Sequence, residues 1–181
     1  MKVGKTLYVK NRNEWRRWLA KYGKTAPEVW LIYYKKASGK PRIPYNDAVD
    51  EALCFGWIDS ILKPIDAHKY TQRFSPRKRT SKLSDMNRER VRRLTKAGRM
   101  TKAGLAAIAH TGKQAKLPAD ILAHLRRDPA IWKNFQGFSA SYKRIRVGWI
   151  AAARHRRNTF EQRLRYFLKM TKLNKRFGMV Q

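Results

Sequence analysis

The sequence predicts an α+β fold: a small N-terminal sheet with helices over residues 1–80, followed by an all-helical region over residues 81–178. Three observations predict it. Runs with strand character, VWLIYY at 29–34 and the pair around Trp57–Leu62 and His68–Ser75, all lie in the first half. After Ser75 the apolar residues recur at three- and four-residue spacing, and helix caps replace turn signals. The composition also shifts there, through the basic loop PRKRTSK at 76–82.

The elements follow in order. Thr6–Val9 reads as a short strand, then Asn11 or Asn13 caps a helix whose Trp15, Trp18, Leu19 and Tyr22 share one side, opposite Arg12, Arg16, Arg17 and Lys21. Gly23 ends it. VWLIYY is apolar on both faces, as expected of a strand inside a sheet. ASGKPR at 37–42 is a turn, and its Gly39-Lys40 lacks the upstream glycine and following Ser/Thr of a phosphate loop. Pro44 opens a second helix, with Tyr45, Ala48, Val49, Ala52 and Leu53 inward and Asp47, Asp50, Glu51 and Cys54 on the opposite side. After Gly56 a hairpin turns at Lys63–Asp66, with Trp57, Asp59 and Ile61 on one strand and Tyr70, Gln72 and Phe74 on the other.

In the second half, Ser84–Ala97 is a helix ended by Gly98, and Thr101 caps a short one. Pro118 opens a helix with Ile121, Leu122 and Leu125 inward, and Asp128-Pro129 starts another through Ile131, Trp132 and Phe135. Ser139 or Ser141 begins a helix carrying Tyr142, Ile145, Trp149 and Ala153. The last helix is expected to open at the capping box Thr159-x-x-Gln162.

The chain has 43 Lys and Arg against 12 Asp and Glu, a net charge of +31, yet 43% of its residues are hydrophobic. That excludes a disordered basic tail and describes a folded protein with a cationic skin. Five of the acids, Asp47, Asp50, Glu51, Asp59 and Asp66, fall within twenty positions that contain only Lys63 as a base. This acidic island holds the single cysteine and precedes Tyr70, Gln72 and Arg73, so it is the expected site. Two readings of Asp59 stay open: a ligand acceptor, or a partner of Arg73 across the hairpin. Trp57 and Phe74 equally suit core.

Cys54 is a poor nucleophile, because neighbouring carboxylates raise a thiol pKa. The sequence has no GxSxG, HExxH or CxxC, and His68, His110, His124 and His155 are scattered singly, so neither a metal nor another cofactor is expected. An enzyme working through the carboxylates is a reading without a motif behind it. The basic residues give a different class. Twelve Lys and Arg lie between Ser139 and Arg176 against Glu161 alone, which suits sequence-tolerant nucleic-acid binding. The interleaved Tyr142, Trp149, Phe160, Tyr166 and Phe167 fall mostly on core stripes rather than on a stacking platform. The N-terminal MKVGKTLYVKNRN lacks the apolar core of a secretory signal, and no apolar run approaches the ~20 residues of a spanning helix, so no membrane span and a cytoplasmic location are expected.

The segments VWLIYYKKASGKPRIPYNDAVDEALCFGWIDSILKPIDAHKYTQRFSPRK, SKLSDMNRERVRRLTKAGRMTKAGLAAI and YKRIRVGWIAAARHRRNT resemble the YdeI/OmpD-associated, or bacteriocin-protection, family. DEALCFGWIDS and YTQRFSPR carry most of that resemblance. It departs at Leu83, where the family usually has Trp, at Thr159-Phe160, where it usually has Thr-Arg, and in the extreme charge. The resemblance implies an α+β region followed by a helical one, a link to bacteriocin or cationic-peptide stress and to a porin, and no settled catalytic activity. It also implies Glu51, Cys54, Trp57, Asp59, Tyr70, Gln72, Arg73, Arg77 and Asn87 as signature positions. From these the expected function is non-catalytic: binding of a small polar ligand or peptide in a pocket between the two regions. Asp59 and Glu51 would accept hydrogen bonds, Tyr70, Gln72 and Arg73 would orient the ligand, and Trp57 would form a wall.

Overall fold

The computed structural model describes residues 2–110 and 116–178. The fold is α+β, with its sheet in the N-terminal half, and divides into two compact units: Met1–Leu83 with Arg90–Gly112, and Ser84–Glu89 with Lys113–Gln181.

The first unit contains β1 (Thr6–Tyr8), α1 (Arg12–Tyr22), β2 (Val29–Tyr34), α2 (Tyr45–Cys54), β3 (Trp57–Pro64) and β4 (Lys69–Pro76). α3 (Asp85–Lys96) passes from the second unit into the first, and α4 (Lys102–Ile108) follows. The sheet order is β1-β2-β4-β3, with β1 parallel to β2 and the other pairs antiparallel. β2 is therefore interior, which is why an almost wholly apolar hexapeptide is stable there. Its register sets Val29 opposite Phe74, Leu31 opposite Gln72 and Tyr33 opposite Tyr70 on one face. Trp15 of α1 packs against Phe74, and its indole donates to the Ala48 carbonyl of α2, so both helices lie on that face. Asn11 caps α1 by accepting from the Glu14 amide. Thr101 caps α4 and also donates to the Cys54 carbonyl. α4 meets the end of α2 at Gly104, where a Cβ would collide with that same carbonyl.

Two expectations need correction. The two sides assigned to α2 do not separate by burial: every residue from Ala48 to Cys54 is buried, Asp50 and Glu51 included, while Tyr45, assigned inward, is 40% exposed. Arginines of α1, of α3 and of the loop after it lie over the carboxylates and replace water there. The last helix, α8 (Arg157–Lys172), starts two residues before Thr159, with Arg156 at its N-cap and no side-chain cap. The Phe160 amide already bonds to the Arg156 carbonyl, so Thr159 lies inside the helix and the capping box is not used.

The second unit adds α5 (Ala119–Arg126), α6 (Pro129–Gly137) and α7 (Ala140–Ala151) to α8. Asp128 and Ser139 cap α6 and α7 as their positions predict. Ile121, Leu125, Phe135, Tyr142, Val147, Ile150 and Phe167 form its core, which explains most of the aromatics between the basic residues. Tyr166 is the exception, exposed but set edge-on against Phe177. Among the described residues no helix is long and apolar enough to cross a membrane.

Candidate functional site

The helix-covered face of the sheet carries a polar cluster at the edge of the apolar core, running from the buried Tyr33 and Gln72 to the exposed Arg42 and Tyr45. Because Tyr33 lies opposite Tyr70, their rings stack at 5.3 Å with 6° between planes. Tyr33 is only 1% exposed, and its hydroxyl has no hydrogen-bond partner. Arg42, in the loop before α2, donates from Nη1 to the Tyr70 hydroxyl at 2.9 Å and lies 6.0 Å from both ring centroids. Tyr45, in the first turn of α2, donates to Asp59 Oδ2 at 2.8 Å. Gln72 donates from Nε2 to the same oxygen at 3.5 Å and to the Ser60 carbonyl at 3.1 Å. The β3–β4 register shifts between Asp59 and Leu62, a bulge beside the cluster.

The electrostatics make this a hydrogen-bonding site with no strong base among its phenols. Burial pushes the Tyr33 hydroxyl pKa well up, and the charge that its own ionisation would set beside Asp59 and the neighbouring phenols adds to it against the opposing pull of Arg42. Tyr45 is raised first by burial and then by its bond to Asp59. Both phenols therefore stay protonated at neutral pH and act as donors. The buried Tyr33 hydroxyl and the more exposed Arg42 guanidinium are donors, and the Asp59 carboxylate is the acceptor.

The signature positions do not form one site. Asp59, Tyr70 and Gln72 belong to the cluster just described. Glu51 and Cys54 belong to a different one. Glu51, 0% exposed, takes hydrogen bonds from Arg12, from Arg16 Nη1 at 2.6 Å and from Arg99 Nη2 at 2.5 Å. Asp50 takes them from Arg90 at 2.8 Å and Arg93 at 2.6 Å, and Arg12 also reaches Asp47 at 3.4 Å. Burial alone would raise the Glu51 carboxyl; the three guanidinium bonds outweigh it and hold its pKa below the ordinary 4.5. Burial, then Glu51, push the Cys54 thiol up, in line with a structural rather than nucleophilic cysteine.

Trp57 is core, its indole donating to the Gly23 carbonyl at 2.9 Å. Arg73 does not pair with Asp59. Asp59 lies opposite Phe74, so the alternation of a strand puts Arg73 on the other face, where it bonds Glu28 at 2.7 Å. Arg77 donates to the Ser81 and Lys82 carbonyls and ties down the basic loop. Asn87 belongs to the second unit, in the first turn of α3, its amide bonded to Ser84 Oγ. Leu83, the departure from the family's Trp, is buried in the first unit's core.

The reading from sequence missed Tyr33, Arg42 and Tyr45, and the arginines over Glu51. The tyrosines had a signal: a phenol in an interior strand needs a partner for its hydroxyl. So did the arginines, since Arg12 and Arg16 sit one helical turn apart. Among the described residues no group of three or more His, Cys, Asp or Glu is placed to hold a metal ion.

Two family models match the chain. One, described as Domain of unknown function (DUF8412), covers residues 7–107; the other, described as Bacteriocin-protection, YdeI or OmpD-Associated, covers residues 114–174. No curated protein and no solved structure matches. The boundary is informative, because all nine signature positions and the whole polar cluster fall inside the first match. The chain belongs to the DUF8412 family through residues 7–107, and its residues 114–174 match the model described as Bacteriocin-protection, YdeI or OmpD-Associated.

Proposed function

We infer that the first unit binds a small polar ligand, or a polar side chain of a peptide, at the Tyr33–Tyr70–Arg42–Tyr45–Asp59–Gln72 cluster, without catalysing a reaction on it. In this reading the protein is cytoplasmic and the binding serves the bacteriocin-protection or stress-type role that the match over residues 114–174 fits. The observation that carries the reading is the Tyr33 hydroxyl, buried without a partner. A polar group left so costs roughly 1–3 kcal/mol, and a ligand that accepts from it recovers that loss. The ligand must offer an acceptor to Tyr33 and Arg42 and a donor to Asp59, as an amide or a hydroxy acid does.

The test is a thermal-shift screen of amino acids, short peptides and polyols, followed by calorimetry on the best. Tyr33→Phe should weaken binding while leaving stability unchanged or slightly raised. Asp59→Asn should abolish binding and cost within ~1 kcal/mol. If Asp59→Asn unfolds the protein and Tyr33→Phe leaves every affinity unchanged, the cluster is structural.

A second reading, sequence-tolerant nucleic-acid binding, is favoured by the opposite face of the sheet. There Tyr8 and Tyr34, both half-buried, meet edge to face at 5.1 Å, with Lys40 Nζ 4.8 Å and Lys69 Nζ 6.0 Å from the Tyr34 centroid. Aromatic faces flanked by ammonium groups suit stacked bases and phosphates. Affinity for a mixed-sequence single strand should fall linearly with log salt and drop further in Tyr34→Ala. Binding indifferent to Tyr34 would assign it to the general charge.

A further inference from the structure

α7 buries a cation that forms no ion pair among the described residues. Arg146 is only 7% exposed and sits among the core residues Tyr142, Ile145, Val147 and Ile150 of its own helix. The described side-chain carboxylates of its unit lie elsewhere. Glu89 pairs with Arg144 at 2.9 Å, Asp120 with Arg154 at 2.8 Å, Asp128 with Lys172 at 3.0 Å and Glu161 with Arg157 at 3.0 Å, while Asp85 packs beside Gly148. The Arg146 Nε–H is buried with no hydrogen-bond partner.

Aromatic rings surround the guanidinium instead. Its central carbon lies 4.7 Å from the Phe177 centroid, 5.7 Å from Tyr142 and 5.8 Å from Trp149. The Phe177 amide donates to the Tyr142 hydroxyl at 3.2 Å and fixes the chain beside it. At Gly178 the backbone adopts φ 77°, and a Cβ there would collide with the guanidinium, so the chain passes directly over it at a residue without a side chain. A second cation is close by: the Arg163 guanidinium lies 4.4 Å from the Trp149 centroid.

Ring quadrupoles attract a guanidinium but leave its N–H donors unbonded. Burying an unpaired charge is among the costliest acts in a fold, and Arg cannot escape by giving up its proton. Burial accordingly pulls the Arg146 pKa down, with a small opposing contribution from Tyr142. What the guanidinium lacks is an acceptor for its Nε–H, which with an Nη–H forms the edge that takes two oxygens of one oxyanion side by side.

We propose that Arg146 is the receptor for an oxyanion, the carboxylate or phosphate group of a small ligand, with Tyr142, Trp149 and Phe177 as walls for the ligand's apolar part. Arg146, Tyr142 and Trp149 stand in the segment that matches the bacteriocin-protection family, with Phe177 just beyond its end, and the site does not depend on the cluster around Tyr33.

Calorimetric titration of the full chain at constant ionic strength, with benzoate, phenyl phosphate, acetate and inorganic phosphate in turn, tests it. One saturable site for benzoate or phenyl phosphate is expected, with acetate and inorganic phosphate weaker because they leave the aromatic walls empty. Benzoate alone binding identifies a carboxylate ligand, phenyl phosphate alone a phosphorylated one, and both a general oxyanion site. Arg146→Met should lower the affinity by about tenfold or more, as loss of a charged bidentate contact does. Arg157→Met, on the surface, should not change it. Equal titration of wild type and Arg146→Met, or no saturable binding of any of the four, would overturn the proposal. Should Arg146→Met fail to fold, the Arg146 Nε–H resonance of the wild-type protein takes its place. It should move and saturate with benzoate or phenyl phosphate, and a resonance that stays still while other arginines shift rejects the site.

Discussion

The two units bury charge in opposite ways. In the first, the carboxylates of Glu51 and Asp50 go into the interior of α2, and five guanidiniums, those of Arg12, Arg16, Arg90, Arg93 and Arg99, close over them. In the second, the guanidinium of Arg146 goes inside, and three aromatic rings stand where a carboxylate would. A chain with 43 bases and 12 acids has few anions to distribute, and seven of the twelve, five of them in the acidic island, lie in the first unit. The contrast teaches that net charge says little about where charge matters. The buried acids Glu51 and Asp50 lie within reach of several bases, whereas the buried Arg146 meets no acid among the described residues.

The largest effect should follow from breaking the first arrangement. Glu51→Ala removes the acceptor shared by Arg12, Arg16 and Arg99 and leaves like charges facing one another over a cavity. A loss of about 3–5 kcal/mol is expected in urea unfolding. The same carboxylate sets an acid limit. Its folded pKa is lowered, so its contribution is full above the unfolded value, near the ordinary 4.5, and disappears as pH falls through the lower folded value. Glu51→Gln, which keeps the shape, should flatten the stability curve below pH 4.5, and a curve parallel to wild type would show that the ionised form is not what the arginines hold.

Arg146→Met should give a much smaller change, within about 1 kcal/mol and with a gain in stability as readily as a loss. It exchanges an unpaired buried ion for an apolar side chain of similar length and forfeits only the ring contacts. A loss as large as that of Glu51→Ala would mean that Arg146 is paired in solution and that the two units are not opposites.

How much of this was legible follows the same divide between local and tertiary causes. The interior strand, the caps at Asn11, Thr101, Asp128 and Ser139, and the helical stripes of the second half were all readable, because each is set by residues within one or two turns. The sides of α2 were not. Asp47, Asp50 and Glu51 look like a wet face on any helical projection, and only the three-dimensional approach of Arg12, Arg90 and Arg99 buries Asp50 and Glu51 while Asp47 stays partly exposed. The site was legible in part: Asp59, Tyr70 and Gln72 do converge, while Arg73, one residue along β4, points the other way because strand pairing sets Phe74 opposite Asp59. Tyr33 read only as an apolar member of VWLIYY, since a hydroxyl's lack of partners is a property of its surroundings. Arg146 read as one more base on a basic helix for the same reason.

The smallest effect should come from an ion pair that looks, on paper, like the one at Glu51. Glu161 accepts from Arg157 Nε at 3.0 Å, one turn apart on α8, with side chains 48% and 87% exposed. Water competes for both groups, and the base precedes the acid, the less favourable order against the helix dipole. Glu161→Ala should therefore cost no more than about 0.5 kcal/mol, and that little should vanish in 0.5 M salt, roughly a Debye length of 4–5 Å. Measured beside Glu51→Ala in the same buffers, it separates the charge of a carboxylate from its burial. Comparable losses at the two positions would mean that scarcity of anions alone stabilises this cationic chain, and that the dry interior over α2 adds nothing.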